Sequence, residues 1–349
     1  MSGTTEQAVA VSDRYVCPKC TSALTKRQDA YICTACDRHY PVLHGIADFR
    51  LRSDRYLTLE QERDKARRLY EFGLTASFEE LVVYYYSITD DVPAELAVRY
   101  QAYIRNAPEQ AVVTIDGLSP DPARDVLLDL GCGAGGMLVA AEGRYKQVIG
   151  VDIALRWLVI CKKRLEEQGV TAALVCADAE SLPFRGGEIT HLVAGDLVEH
   201  VYDPGHAMAS FSRQLAPGGK LWLSATNRYC IGPHPLTRIW GIGFFPRALR
   251  TAILKKIRGV DSLRYINLVS PGYVRQLCLN HGLRKLDSGP RKVQIVDITS
   301  YPLQDRVLIS LYQGMLKLPL LRRLLLYIGP AFEMTFAKVS PNDGPGGSD

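Results

Sequence analysis

Apolar and polar positions follow two rhythms along this chain. Between residues 125 and 227, short apolar runs end on a single polar side chain: Val126-Leu-Leu then Asp129, VIGVD closing on Asp152, AALVCAD on Asp178, ITHLVAGD on Asp196 and LWLSATN on Asn227. Near-continuous apolar runs of this length read as strands buried on both faces, the habit of a parallel sheet with helices between the strands. Residues 51–124 follow the other rhythm. LTLEQERDKARRLYEFGL, SFEELVVYYYSIT and PAELAVRYQAYIRNA are rich in helix formers, and the last opens on a proline suited to a first helical turn. Beyond the strands, SPGYVRQLCLNHG reads as a helix ending at Gly282, LRKLDSGPRKVQIVD as a sixth strand region and FEMTFAKVS as a final, antiparallel strand. The expected fold class is α/β, with seven mostly parallel strands flanked by helices.

The turn after the first strand organises the rest. DLGCGAGG places Gly131, Gly133 and Gly135 at alternate positions, where the backbone turns sharply and a ligand can approach without meeting a Cβ. MLVAAEGRY reads as a helix, so the turn sits at a strand's carboxyl end, where open α/β sheets bind ligands. A nicotinamide or flavin site prefers G-x-G-x-x-G, whereas the spacing here is G-x-G-x-G after a strand ending in an acid. Asp152 lies about twenty residues on, at the position from which an acid accepts hydrogen bonds from ribose hydroxyls. Three acids at three successive strand ends exceed what helix capping alone requires.

From Asp125 to Asn227 this series resembles the class I S-adenosylmethionine (SAM) dependent methyltransferases, in particular the small-molecule branch with ADAESLPF and VEHVYDP. The resemblance implies a Rossmann-like methyltransferase sheet with SAM as cofactor. It implies that Asp129 and the backbone of Gly131, Cys132, Gly133 and Gly135 hold the methionine moiety. Asp152 would take the ribose, Ile153 would pack on adenine, Asp178 and Ala179 would meet the adenine amino group, and Asp196 would complete the cofactor set. Asp196, Glu199 and His200 are spaced to share a face if the segment turns as a helix. His200 is then the candidate general base for a hydroxyl nucleophile. The ubiquinone-pathway O-methyltransferases have a similar E-x-x-E-H stretch that can bind a divalent cation; Asp196 replaces its first acid, which shortens one ligand arm.

Near the N-terminus, Cys17-Pro-Lys-Cys20 and Cys33-Thr-Ala-Cys36 are separated by twelve residues. Two C-x-x-C turns supply four thiolates, a closed shell that suits structural Zn2+ and leaves no open position for catalysis. His39 and His44 are expected at the surface or in packing. HYPVLHGIADF resembles the short zinc-binding modules attached to several methyltransferases, including a ribosomal RNA guanine methyltransferase. The expected organisation is a tail over 1–14, a ribbon over 15–50, a helical connector over 51–124, a SAM domain over 125–340 with an insertion at 228–270, and a tail over 341–349.

Composition adds bounds. Of 349 residues 47% are hydrophobic and 23% charged, as in a folded globular protein, and a net charge of +5 does not argue for nucleic acid. Nine cysteines without a secretory signal read as reduced thiols in the cytoplasm. The insertion is aromatic and basic, with Arg238, Arg247, Arg250, Lys255, Lys256, Arg258 and Arg264 among Trp240, Phe244 and Phe245. It suits a pocket lid, a surface meeting anionic lipid, or a phosphate binder. LYQGMLKLPLLRRLLLYIG is apolar, but Pro319 and Arg322-Arg323 oppose a spanning helix; core or dimer packing is expected, with an interfacial anchor as the alternative. Tyr84, Tyr85 and Tyr86 are expected to place two rings in the core and one in water.

The functional expectation is a SAM-dependent methyltransferase acting on a small or lipid-like acceptor, most readily on oxygen. It would be cytoplasmic, with membrane association and a homodimer left open. The alternatives are an RNA methyltransferase reading its substrate with the ribbon, disfavoured by the modest charge and the lack of an N/D-P-P-Y-type motif, and a SAM-binding scaffold without turnover.

Overall fold

The computed structural model describes residues 11–89, 92, 94–259, 261, 263–292, 298 and 303–340. The chain forms two compact units, Met1–Leu192 with Arg213–Ala216, and Val193–Ser212 with Pro217–Asp349.

In the first unit, β5 (Val126–Leu130), β6 (Gln147–Asp152) and β7 (Ala173–Cys176) are parallel neighbours in the order β7-β6-β5. All five residues of β5 are buried, as its unbroken apolar run requires. β8 (Ile189–Gly195) starts in this unit, where the Thr190 hydroxyl accepts from the Val126 N–H at 2.8 Å. The cysteine-bearing region is an antiparallel meander of β1 (Thr25–Lys26), β2 (Ala30–Cys33) and β3 (Arg38–Leu43). β3 continues into β4 (Ile46–Asp48), which lies parallel to β7 with Ala47 opposite Val175 and Asp48 opposite Cys176. This corrects the expected strand number. All seven expected strands are present, but four more precede them, because β4 ties the meander onto β7 and makes it part of the sheet. Tyr15, Tyr31, Tyr40 and Phe49 pack ring to ring under it, with centroids 4.9–5.3 Å apart.

Four helices follow the ribbon, over Leu59–Gly73, Phe78–Ser87, Ala94–Arg105 and Ala107–Leu118. The first two helices start with reciprocal capping boxes, Thr58 with Gln61 and Ser77 with Glu80. Tyr85 is buried, and Tyr84 and Tyr86 are half-buried, each against another ring. Residues 1–10 and 341–349 of the expected tails lie outside the described residues. Val11 is fully buried and Arg14 pairs with Glu188 at 3.1 Å, so ordered structure begins before residue 15.

In the second unit, β9 (Leu215–Thr226), β11 (Ala331–Lys338) and β10 (Leu283–Pro290) form an antiparallel ladder in that order. Phe332, Met334 and Phe336 of β11 are buried at alternate positions, the period-two pattern read from FEMTFAKVS. The insertion folds around a small core of Ile242, Leu254 and Leu263 and carries the helix Arg247–Arg258. The apolar C-terminal segment forms two helices, Leu303–Leu316 and Pro319–Ile328. Of the expected core or dimer packing, a core role within this chain falls to Leu325, which is buried, while Leu320 and Leu324 are exposed and Leu321 and Leu326 half-buried.

Candidate functional site

The first unit builds a cleft from strand ends. After β5 the chain takes positive φ at Gly131 (74°), Gly133 (50°) and Gly135 (78°) before the helix Gly136–Ala140. Gly135 is doubly constrained, since a Cβ there would also lie 2.6 Å from the Cys161 sulfur. The loop is pinned from β6. The Gly131 and Cys132 N–H groups donate to the Val151 carbonyl at 2.8 and 3.1 Å, and the Gly133 N–H donates to the Asp152 carboxylate at 2.9 Å. The other Asp152 oxygen accepts from the Ala154 N–H at 2.8 Å. Arg164, nearly fully buried, holds the outer side by donating to the carbonyls of Ala134 (3.1 Å) and Ile104 (2.8 Å).

Electrostatics give this cleft its chemistry. Asp129 is buried, and burial followed by the neighbouring Asp152 charge pushes its carboxyl up to about 8. Burial also raises Asp152, against the two backbone N–H groups that favour its ionised form. Two buried acids therefore lie beside the glycine loop, and the Asp152 charge opposes ionisation of Asp129.

A second group of charged side chains comes from the end of β7 and the segment after β4. Asp178 is buried; one oxygen accepts from the Glu180 N–H at 2.9 Å and the other from Arg52 Nε at 2.6 Å. Arg52 also reaches Glu180 at 2.9 Å. Arg50 forms a two-pronged buried pair with Asp48 (2.7 and 2.8 Å) and donates to the Ile153 carbonyl at 3.1 Å. Below them Arg156 pairs with Asp54 at 2.8 Å and with Glu62, whose other oxygen caps the Arg156 N–H at 2.9 Å. Sequence reasoning missed Arg50, Arg52 and Arg156. Their partners lie up to 126 residues away and no spacing rule reports them. The cluster of basic residues just after IADF was the available signal.

The second unit holds the remaining predicted residues, in an arrangement the helical spacing did not anticipate. Residues 196–203 form turns rather than a helix, with Asp196 at φ 50°. Asp196 accepts from the Ser224 hydroxyl at 3.0 Å and pairs with Arg291. Glu199 is buried, accepts from the Thr226 N–H at 2.9 Å and is pushed up to about 8 by burial and then by Asp196. His200 is exposed. The buried acid and the exposed imidazole therefore do not share a face. Among the described residues, the group of three or more ligand atoms within 4.8 Å of one another is the four-cysteine one. His206 is exposed; His39 is exposed and His44 stacks on Tyr70 at 4.4 Å, as expected of surface and packing residues.

The sulfurs of Cys17, Cys20, Cys33 and Cys36 lie together, with Cys17–Cys36 at 3.6 Å and Cys20–Cys33 at 3.5 Å. A tetrahedral zinc with Zn–S bonds of about 2.3 Å has sulfur–sulfur edges of about 3.8 Å. The cluster is compatible with structural zinc after adjustments of a few tenths of an ångström. The Tyr40 hydroxyl, 3.1 Å from the Cys17 sulfur, supplies an outer hydrogen bond.

Comparison with known proteins agrees with the cleft. Residues 128–223 match a family described as a methyltransferase domain. A ubiquinone biosynthesis O-methyltransferase of Leptothrix cholodnii is 34% identical over 125 residues, covering 34% of this chain and 49% of that protein. Its counterpart in Cereibacter sphaeroides is 36% identical over 103 residues, covering 29% of this chain and 41% of that protein. The chain thus spans about half the length of the curated relatives it matches. A solved structure of Haemonchus contortus phosphoethanolamine N-methyltransferase 2 with S-adenosyl-L-methionine aligns at 18% identity and a TM-score of 0.43, over 67% of this chain and 53% of that one. The matched segment begins within β5, passes through the glycine loop and the three strand-end acids, and ends within β9, so the part of this chain that is similar to a methyltransferase domain is the part that holds them.

Proposed function

We propose that the protein transfers a methyl group from SAM to an oxygen of a small, lipid-like acceptor. The observation that carries the cofactor half is the buried Asp129–Asp152 pair beside the glycine loop, two acids whose burial raises both carboxyls and which a bound cation would return to the ionised form. Asp129 and the loop backbone hold the methionine end, Asp152 and Ile153 hold the ribose and one adenine face, and Asp178 with the Ala179 backbone meets the adenine edge. SAM supplies, when bound, a methyl carbon made electrophilic by its sulfonium. The task of the chain is to orient and to exclude water, because in-line displacement is governed by alignment. His200, exposed, is the group that would take the proton of an attacking hydroxyl.

The relatives' printed role as O-methyltransferases of ubiquinone biosynthesis supports oxygen as the acceptor atom. The surface of the second unit supports a lipid-like acceptor. Leu303, Leu320 and Trp240 are 74%, 80% and 63% exposed, far more than isolated surface apolar residues require. Residues 228–258 contain no Asp or Glu, and residues 303–330 contain Asp305 alone, which is buried and paired with Arg238. An apolar surface whose charges are cationic fits the headgroup boundary of an anionic membrane. We therefore propose peripheral membrane contact through this surface. The ribbon is bonded into the sheet through β4, which favours this reading over RNA recognition by a free-standing module. The test is incubation with methyl-labelled SAM and cell extract separated into lipid, RNA, protein and small-molecule pools. Label in the lipid pool supports the proposal; label in RNA, or none beyond bound SAM, overturns it.

A further inference from the structure

The ribbon does more than decorate the catalytic unit. Its last strand, β4, runs parallel to β7, and the Phe49 N–H continues the ladder to the Cys176 carbonyl at 2.7 Å. The next residues turn toward the two positions that the adenosyl reading assigns to the nucleoside. Arg50 is fixed by Asp48, its side chain fully buried, and its remaining nitrogen donates to the carbonyl of Ile153. Arg52 bridges Asp178 and Glu180, two carboxylates whose side chains are only 7% and 6% exposed. Neither arginine belongs to the methyltransferase segment that the family model matches.

From this juxtaposition we infer that Arg50 and Arg52 are positioning residues for the adenine ring, so that the ribbon segment sets nucleobase affinity and specificity. The inference rests on the proposed SAM site. A carboxylate offers about four acceptor directions. On Asp178, Arg52 Nε occupies one at one oxygen and the Glu180 N–H one at the other. Two directions remain for an exocyclic amino group, and the carboxylate can no longer rotate. With Arg52 Nε and the Glu180 N–H as its donors, Asp178 presents acceptor oxygens that suit an amino donor and oppose a carbonyl. Arg50 acts on the neighbouring wall: holding the Ile153 carbonyl fixes the backbone whose side chain packs on the ring. Arg52 acts through Asp178, and Arg50 through Ile153; neither touches the reacting methyl.

The experiment is calorimetric titration of the full-length protein with S-adenosylhomocysteine and with S-inosylhomocysteine, in which a carbonyl replaces the adenine amino group. Wild type is expected to prefer the adenosyl compound. Arg52→Ala is expected to weaken adenosyl binding roughly tenfold, the scale of one charge-assisted hydrogen bond, and to erase most of the preference. Arg52→Lys, which keeps the charge but not the two-pronged geometry, is expected to restore part of both. Arg50→Gln is expected to weaken both ligands equally. A merely structural Arg52 would lower affinity for both compounds alike and leave their ratio at the wild-type value. That result, or unchanged adenosyl affinity, overturns the inference. If Arg52→Ala does not fold, the ratio measured for Arg52→Lys decides: a wild-type ratio overturns the inference and a reduced one supports it. Failure of wild type to bind S-adenosylhomocysteine would instead remove the SAM site itself, an outcome the variants do not produce.

Discussion

Burial of Asp129 costs the fold stability, and the size of that loss can be worked out. Its carboxyl moves from 3.8 to about 8 on folding, chiefly through burial and secondly through Asp152. The folded pKa is raised, so between these values the folded state holds a proton that the unfolded state has released. Stability contributed by this group is therefore full below about pH 4, falls as pH rises, and is exhausted once pH passes about 8. At pH 7 the loss is about 3 pH units at about 1.4 kcal/mol each, or roughly 4 kcal/mol as a ceiling. Asp129→Asn keeps the shape and removes the titration. Urea denaturation of wild type and variant at pH 5 and pH 8, without SAM, should show the variant gaining on wild type by about 2–4 kcal/mol between the two pH values. The same variant should bind SAM more weakly, because the cationic ligand has lost its counter-charge. Parallel pH dependence in the two proteins, or unimpaired SAM binding by Asp129→Asn, would refute the assignment of a buried anionic receptor.

Other perturbations test other parts. Asp152→Ala should abolish calorimetric SAM binding while the circular dichroism melt persists; wild-type affinity would refute its ribose role. Cys17→Ser with Cys20→Ser should release zinc, read by metal analysis, and, since Arg50 and Arg52 directly follow β4, also weaken S-adenosylhomocysteine binding; retained zinc would count against the site. Arg247→Glu with Lys255→Glu and Lys256→Glu should abolish flotation on phosphatidylglycerol vesicles while leaving the protein monodisperse and SAM binding intact. Equal flotation of variant and wild type would rule out this surface as the membrane contact.

The strand-end acids were legible because they obey a local rule: an apolar run too short for a helix, closed by a carboxylate, followed by glycines or a helix. That rule located Asp129, Asp152 and Asp178 at the ends of the strands that precede them. Local rules fail where the chain departs from regular geometry or where partners are remote. The spacing of Asp196, Glu199 and His200 was legible, but their common face depended on a helix. The left-handed backbone at Asp196 turns Glu199 inward and leaves His200 exposed. Arg50 and Arg52 carry no local mark of their partners, since nothing local indicates a strand pairing with β7 across more than a hundred residues. The leucines of residues 303–328 read as core or dimer packing, or as an interfacial anchor, because composition alone does not show what covers an apolar face.

The central claim is that the glycine loop and the three strand-end acids hold an adenosyl sulfonium. A crystal structure grown with S-adenosylhomocysteine tests it most directly. The account predicts the amino-acid end beside Asp129 and Gly131–Gly133, the ribose hydroxyls on Asp152 and the adenine amino group on Asp178. A ligand bound elsewhere, or an empty cleft at saturating concentration, would contradict it.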